Sequence, residues 1–225
     1  MKKITLAICA ALASAGASAD TILGFDATAG VWMPAYSGDL NNVLNGDNLK
    51  EDNNTFLQVA LEHPIPLVPN ILVSHTQIES EFDGINSNLD LSHTDATLYY
   101  EILDNWVNLD LGLTARNFDG ALDVMGFSGE TITLDFAGTL PMVYGMARFD
   151  LPFTGWSIIA QGNGIEYDGD KITDLTAKIR WDFVPALDFA VEAGYRAMSI
   201  DAPELDDLEP NLEIKGPYLG LSLHL

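Results

Sequence analysis

The sequence predicts an all-β chain that folds as a transmembrane, antiparallel, up-and-down β-barrel of ten strands, with eight or twelve strands as the alternatives. Apolar and polar residues alternate with period two along most of the chain, which is the pattern of half-buried strands. The connections between the alternating runs are by turns short and long. The chain is 48% hydrophobic yet carries 33 acidic against 10 basic residues, a net charge of -23, so its apolar and charged residues must occupy separate faces.

Residues 1–19 have the features of a secretory signal peptide. Lys2 and Lys3 precede the short apolar run ITLAICAALASAG, and Ala17-Ser18-Ala19 supplies an A-x-A cleavage site. We therefore expect export through the Sec pathway, cleavage after Ala19, and a single domain over residues 20–225. The only cysteine, Cys9, lies inside the signal peptide, so the mature domain needs a large core or a closed barrel in place of disulfides.

The clearest predicted strand is WVNLDLGLTAR, residues 106–116, in which Leu109, Leu111 and Leu113 alternate with polar residues. KITDLTAKIRWDF and LDFAVEAGYRAMSI show similar contrast. Each predicted strand has about ten residues or more, the length that a tilted strand needs to cross a bilayer. The ten ranges are 21–33, 54–63, 71–82, 93–103, 106–116, 139–151, 156–166, 171–183, 187–200 and 213–225.

The connections predict which end of the barrel is which. Short turns near 64–70, 103–105, 152–155 and 184–186 carry Pro, Asn or Gly. Between them lie polar segments at 34–53, 83–92, 117–138 and 201–213, and a short one near 167–170. In an up-and-down sheet this order places the short turns at the periplasmic end. ITLDFAG, residues 132–138, could be an eleventh strand, but an odd count would leave the last strand on the wrong side, so we assign it to the third loop.

Alternation alone does not separate a soluble, lipocalin-like barrel from a membrane barrel with the opposite polarity. Both signs of charge on the polar strand faces favour the membrane barrel, because they suit a lumen crossed by ion pairs. That predicted charge network comprises Arg116, Arg148, Lys178, Arg180, Arg196, Glu62, Glu101, Asp110, Asp182 and Glu192. It has two interpretations: structural pairing in a narrow interior, or the lining of a narrow pore with an acidic mouth that favours cations.

Aromatic residues near the short turns also favour the membrane barrel, because such residues form girdles at bilayer interfaces. The predicted girdle comprises Trp106, Phe153, Trp156, Trp181 and Phe183. Strand parity places Trp106 on the polar face, which sets it apart from the others. The acidic residues outside the strands concentrate in the long loops, especially DAPELDDLEPNLE at 201–213.

The signal peptide, the stretch YGMARFDLPFTGWSIIAQGN at 144–163 and the alternating C-terminal strand resemble a family of small Gram-negative outer-membrane β-barrel proteins without an assigned activity, loosely near the OmpW and OmpA types. The resemblance covers most of the mature chain and implies fold and location rather than chemistry. It also implies recognition of the C-terminal strand by the outer-membrane assembly machinery. Members usually end in Phe or Trp, whereas this sequence ends in Leu225.

The sequence assigns no catalytic residue, metal site or cofactor. The four histidines are scattered, and NGDNLKEDNN at 45–54 lacks the spacing of a calcium loop, which indicates a solvated loop. His93 and Asp95 share a strand face and could orient a base, with Ser92 or Ser128 as nucleophile and Asp90, Asp201 or Asp206 as a further carboxylate. A hydrogen bond at the barrel rim is the simpler interpretation of the pair.

The sequence thus predicts a small protein of the Gram-negative outer membrane with a structural or narrow-pore role. A hydrolase that uses His93 and Asp95, or a surface-binding or adhesion protein, are the alternatives. Its expected partners are outer-membrane lipid and lipopolysaccharide, with divalent cations possible at the acidic loops. Nucleic acid is excluded by the strongly negative charge.

Overall fold

The computed structural model describes residues 23–39, 45–65, 67–83, 87–104, 106–125, 131–184, 189–202 and 210–225. The predicted signal peptide lies outside these residues. The strands are β1 (Gly24–Trp32), β2 (Ala35–Asp39), β3 (Asn54–Glu62), β4 (Asn70–Thr76), β5 (Glu79–Glu81), β6 (Asn88–Asp90), β7 (His93–Leu103), β8 (Val107–Met125), β9 (Thr131–Leu151), β10 (Trp156–Tyr167), β11 (Asp170–Val184), β12 (Phe189–Asp201) and β13 (Asn211–His224). A single 3₁₀ turn, Gly46–Asn48, is the one helical element of the described chain, and no described helix has the length and apolar character to span a bilayer.

Ten of these strands close into an antiparallel barrel. Neighbours around the wall run β1, β3, β4, β7, β8, β9, β10, β11, β12 and β13. The barrel closes where β13 pairs with β1, from Asp26 opposite His224 to Trp32 opposite Tyr218. The backbones of Phe25 and Leu225 extend this seam by two further hydrogen bonds of 2.9 and 2.8 Å. The all-β, ten-stranded fold class predicted from the sequence is confirmed.

Three of the ten barrel strands are interrupted near the end that carries the longer connections. β2 continues β1 along β13 after a break at Met33 and Pro34, where the proline has no N–H to donate. β4 and β5 are likewise two pieces of one wall strand. So are β6 and β7, which both pair with β8. The short strands therefore lengthen the barrel wall and add no new strand to its circumference.

Much of what the sequence predicts as long loops is strand. β8 continues to Met125, β9 begins at Thr131, and the two pair over their whole length. The assignment of ITLDFAG to a loop is therefore wrong, although the count of ten strands holds, because this segment extends β9. β2, β6 and the first residues of β13 likewise occupy predicted loops.

Where the side chains of these segments are described, the outward ones are largely polar and meet water, as at Asn117 and Asp119. Inward apolar side chains from these segments and from the neighbouring strands form a buried core in this half of the barrel, here called the outer core. It consists of Trp32, Tyr36, Leu49, Ile78, Phe82, Leu89, Leu91, Phe118, Met198, Leu212, Ile214 and Tyr218, with Phe56, Leu140 and Ile200 packed against it. This half thus resembles a soluble β-barrel, apolar inside and polar outside.

The hairpins at the outer end of the barrel differ in height. The β8–β9 hairpin is tall, whereas β10 and β11 are joined by a tight turn at Asp168 and Gly169. Both turn residues have positive φ, 52° and 95°, as a two-residue type I′ hairpin turn requires. The wall therefore steps down between β9 and β10.

Candidate functional site

A charge network crosses the lumen just inside the outer core. Arg116 on β8 donates to both oxygens of Asp95 on β7, with Nε–Oδ1 and Nη2–Oδ2 distances of 2.8 and 2.7 Å. Its Nη2 also lies 2.7 Å from Oδ2 of Asp174 on β11. Arg196 on β12 donates to both oxygens of the same Asp174, with Nε–Oδ1 and Nη2–Oδ2 distances of 2.8 and 2.7 Å. Asp174 therefore joins two arginines that come from well-separated parts of the wall.

Arg196 extends this network to the opposite side of the barrel. Its Nη1 donates to Thr76 on β4 at 3.0 Å, and its guanidinium lies over the Trp32 ring, 4.8 Å from the centroid. The two arginines balance the charge of Asp95 and Asp174. Arg116 is wholly buried, and the side chains of Asp95 and Asp174 are only 5% and 4% exposed, so the network is a neutral, desolvated bridge across the interior.

His93 belongs to this bridge and is not paired with Asp95. Its Nδ1 donates to the Leu91 carbonyl at 3.0 Å, which leaves Nε2 as the acceptor that faces Arg196 Nη2 at 3.4 Å. Asp95 is occupied by Arg116, and Ser92 Oγ accepts from the backbone N–H of Ile78. The geometry thus holds His93 as a buried structural acceptor, in place of the base–carboxylate pair that a hydrolase would use. Ser128 and Asp206 lie outside the described residues.

The other luminal cations lie nearer the short turns, each with a carboxylate. Lys178 Nζ lies 2.9 Å from Glu192 Oε2, and Ser222 Oγ donates to the other oxygen of Glu192 at 2.8 Å. Arg180 pairs with Asp182 at 2.9 Å. Arg148 pairs with Asp150 at 2.6 Å. The five basic residues predicted for the lumen all carry ion pairs, but four of their acceptors, Asp26, Asp95, Asp150 and Asp174, are outside the predicted charge network.

Three predicted luminal acids have no cationic partner among the described residues. Glu62 accepts from the Tyr99 hydroxyl at 2.8 Å, and Glu101 accepts from Asn70 at 3.1 Å. Asp110 is buried, and its Oδ1 has no hydrogen-bond partner. The lumen near the short turns therefore has a paired side on β9, β11 and β12 and an acidic side on β3, β7 and β8.

Little free volume remains around the charge network. A cavity of about 40 Å³ adjoins Arg116, Arg196 and Asp174. A second, of about 120 Å³, lies against Asp110, Arg148 and Lys178. Spaces of this size hold a few water molecules each. Among the described residues, no group of three His, Cys, Asp or Glu side chains is arranged to hold a metal ion.

Aromatic side chains cluster on the outside of the barrel near the short-turn ends of β8 to β11. Trp156 stacks on Trp181 at 5.5 Å and 10°, and Trp181 contacts Phe183 at 6.0 Å. Trp106 comes just before β8, so the inward–outward alternation of that strand does not set the direction of its side chain. Its ring packs outside the barrel against Phe149, with 5.4 Å between the ring centroids. Phe153 is fully exposed at the tip of its turn, with φ of 66°. Phe149 is a member of this group that the sequence pattern does not single out.

Above these aromatic side chains, the outward side chains form a continuous apolar band. Leu57, Val73, Leu98, Leu111, Leu113, Val143, Ile158, Leu175, Ile179, Val191, Leu219 and Leu221 are all exposed. The band ends at outward polar residues, which include Thr94, Asn117, Lys171, Ser199 and Lys215. An exposed apolar belt between an aromatic girdle and a polar rim, around a charged interior, matches a lipid-facing wall. The chain folds as an outer-membrane-type β-barrel.

The strands of this outer-membrane barrel continue beyond the apolar band into water. Among the ionisable side chains there, Tyr36, Lys50 and Glu81 have shifted pKa values. Lys50 Nζ donates to Glu81 Oε2 at 2.6 Å on the exposed outer rim. This hydrogen bond lowers the pKa of Glu81 and raises the pKa of Lys50. Burial raises the pKa of Tyr36, whose hydroxyl accepts from Asn54 Nδ2 at 3.0 Å.

Comparisons with solved structures return outer-membrane barrels. Ail, the attachment invasion locus protein of Yersinia pestis, was solved with the heparin analogue sucrose octasulfate; it has 12% identity, a TM-score of 0.40, and coverage of 91% of this chain and 100% of that one. Neisserial surface protein A has 11% identity, a TM-score of 0.40, and coverage of 88% and 96%. The outer-membrane protease OmpT of Escherichia coli has 9% identity, a TM-score of 0.46, and coverage of 93% and 99%. The sequence matches no protein-family model and no curated protein.

Sequence reasoning misses two parts of the site. Asp174 lies on the polar face of its predicted strand, yet nothing in the pattern distinguishes it from other inward polar residues. Part of the outer core is missed because its residues there fall within segments that their polar neighbours mark as loops. These residues are Tyr36, Leu49, Leu89, Leu91, Phe118 and Leu212. Leu212 and Ile214, which alternate with Asn211 and Glu213, are the signal that could have revealed it.

Proposed function

We propose that the protein is a structural barrel of a Gram-negative outer membrane whose lumen does not conduct ions or solutes. The bridge of Asp95, Arg116, Asp174 and Arg196 supports this proposal most directly. It crosses the interior from β7 and β8 to β11 and β12, its carboxylates accept from guanidinium groups, and only small cavities adjoin it. An ion that crossed this level would have to separate paired, desolvated charges, which is costly.

The outer core adds a second barrier in series. An open pore would need a hydrated path, whereas Trp32, Met198, Leu212 and Ile214 are each no more than 1% exposed. A layer of buried apolar side chains offers passing ions and water no hydrogen-bond partners, so crossing it is unfavourable. The polar and the apolar layer oppose conduction for different reasons, so the proposal does not depend on either alone.

Single-channel recording in planar bilayers tests the proposal. Purified, refolded protein is expected to give no conductance steps above the bilayer background. The double variant Asp95→Ala/Asp174→Ala removes both acceptors of the bridge and provides a comparison for a loosened interior. Reproducible unitary steps from the wild-type protein, absent from a mock-refolded sample, would establish the narrow-pore alternative instead.

Two further proposals concern export of the chain and its insertion into the outer membrane. We infer that residues 1–19 are removed on export and that the assembly machinery recognises β13, which closes the barrel against β1. N-terminal sequencing of protein recovered from the outer-membrane fraction should begin at Asp20. A start at Met1, or recovery from the soluble periplasmic fraction, would contradict this inference.

The hydrolase alternative has weaker support. Both ring nitrogens of His93 are engaged, and Asp95 faces Arg116. A surface-binding or adhesion role draws only on the acidic composition of the outer rim, which does not by itself select a protein or glycan ligand. The closed structural barrel therefore remains the function that the geometry supports best.

A further inference from the structure

An apolar groove indents the lipid-facing wall where the barrel steps down between β9 and β10. Pairing of these two strands ends at Gly164 opposite Val143, while β9 continues upward along β8 alone. Pro141 comes just beyond the last pair, and it lacks the N–H that could continue the ladder. The groove has a volume of about 470 Å³, within the range of roughly 300–1,000 Å³ found for ligand pockets.

The groove lies at the outer edge of the apolar band. Its walls are Leu113, Pro141 and Val143 on one side and Gly164, Ile165 and Thr173 on the other, with Met142 at its base. Gly164 leaves room in it, because a Cβ there would meet only Thr173 Cγ2 at 3.8 Å and the Ile172 carbonyl oxygen at 3.9 Å. A groove on this part of the wall faces the acyl chains of the outer leaflet.

A lysine at the mouth of the groove favours lipids with an anionic headgroup. Lys171 lines the groove and belongs to the outward polar rim. The other seven cationic side chains of the described chain all form ion pairs with carboxylates. Lys171 forms none with any residue that the structure describes, although Glu166 stands opposite it across the β10–β11 ladder and Asp201 across the β11–β12 ladder. Among the described residues, Lys171 is thus the one lysine or arginine without an ion pair, and it lies beside an apolar groove at the level of lipid headgroups.

We propose that this groove binds one phosphorylated glycolipid of the outer leaflet, with an acyl chain between Val143 and Gly164 and a phosphate at Lys171. This inference rests on the outer-membrane placement proposed above and adds a lipid site to it. Glu166 and Asp201, which flank Lys171 on the two neighbouring strands, set a limit on the affinity, because their carboxylates repel the same phosphate. The site therefore requires both an acyl chain and an anionic headgroup.

Native mass spectrometry of the full, refolded protein with hexa-acylated, bis-phosphorylated lipid A as the probe tests the site. We expect one retained lipid per barrel. Lys171→Gln should weaken retention about fivefold, which corresponds to about 1 kcal/mol for one lysine near a membrane surface. Lys50→Gln, which removes a paired cation on the rim, is the matched control and should change little. Glu166→Gln should strengthen retention, and the dephosphorylated lipid should bind the wild type as weakly as lipid A binds Lys171→Gln.

The apolar half of the site needs a separate variant. Gly164→Val fills the groove and should reduce retention of both lipids, whereas Gly138→Val, where a Cβ meets nothing within 4 Å, should not. Equal retention by Lys171→Gln and Lys50→Gln, or undiminished binding of the dephosphorylated lipid, would overturn the proposal, and the surface variant Lys171→Gln decides it even if Gly164→Val fails to refold. These outcomes are independent of conductance, which tests the closed lumen.

Discussion

The carboxylate of Asp174 on β11 accepts two hydrogen bonds, of 2.8 and 2.7 Å, from the guanidinium of Arg196 on β12. The two residues lie diagonally across one ladder, because Arg196 stands opposite Thr176. Asp174 also holds Arg116, so this single carboxylate joins the two halves of the bridge. Its removal leaves buried positive charge without a full complement of acceptors.

Asp174→Asn is therefore expected to lower the free energy of unfolding by about 3–5 kcal/mol, the usual effect of breaking a buried ion pair. Urea unfolding of the refolded protein in lipid vesicles, followed by tryptophan fluorescence, measures it. Asp150→Asn is the matched control, since its pair with Arg148 is about one-third exposed and is expected to contribute less than about 1 kcal/mol. Equal effects of the two substitutions would argue against the bridge as a stabilising element.

The outer core predicts a second contrast along β13. Ile214 is fully buried inside the barrel, whereas Leu219 is 56% exposed on the outside. Ile214→Ala should destabilise the protein by about 2–5 kcal/mol, because it leaves a cavity. Leu219→Ala should cost less in the same unfolding assay, because lipid chains can fill the space. A smaller effect at Ile214 than at Leu219 would contradict the placement of the outer core.

Close backbone contact at Gly216 predicts intolerance of any side chain. A Cβ at this position would lie 2.1 Å from the Met33 carbonyl oxygen and 2.8 Å from Pro34 Cα. Gly216→Ala should destabilise by about 1–3 kcal/mol through overpacking, as read from the unfolding midpoint. Gly145→Ala, whose Cβ would meet only Leu111 Cδ2 at 3.8 Å, should leave the midpoint nearly unchanged. A tolerated alanine at 216 would show that the β1–β2 break can move away from β13.

The apolar band predicts that the destabilisation caused by an outward arginine depends on its depth in the bilayer. Leu111→Arg places a charge within the band and should cost about 2–4 kcal/mol, whereas Asn117→Arg on the same face of β8 should cost about 0–1 kcal/mol. Unfolding in vesicles reports both values. If the outer wall faced water instead of lipid, the two substitutions would have similar, small effects on the free energy of unfolding. That result would contradict the membrane assignment.

The sequence was sufficient to predict the strands that face lipid, because there the outward residues are apolar and the alternation has high contrast. It also assigned five cations to the lumen by parity. It could not predict how they pair, because Asp174 and Arg116 meet across the lumen from strands 58 residues apart in sequence. Closure of the barrel, and not local pattern, decides such contacts.

The strand extensions were missed for a different reason. Composition suggests loops wherever polar residues dominate, and in β8 the outward Asn117 and Asp119 outweigh the single inward Phe118. Trp106 shows the converse error, since parity extrapolated one residue beyond a strand assigns the wrong face. Both errors arise where the surroundings of the strand change along its length.

β13 shows what that change implies for the evolution of the chain. Leu212 and Ile214 point inward, while Leu219 and Leu221 point outward, so the apolar side of the strand reverses near Gly216 and Pro217. The position of this reversal marks the water line of the membrane on the strand. One inserted residue below the reversal would turn every side chain on one part of the strand to the wrong solvent, whereas two inserted residues would restore both orientations. Length changes in such a wall should therefore accumulate in pairs.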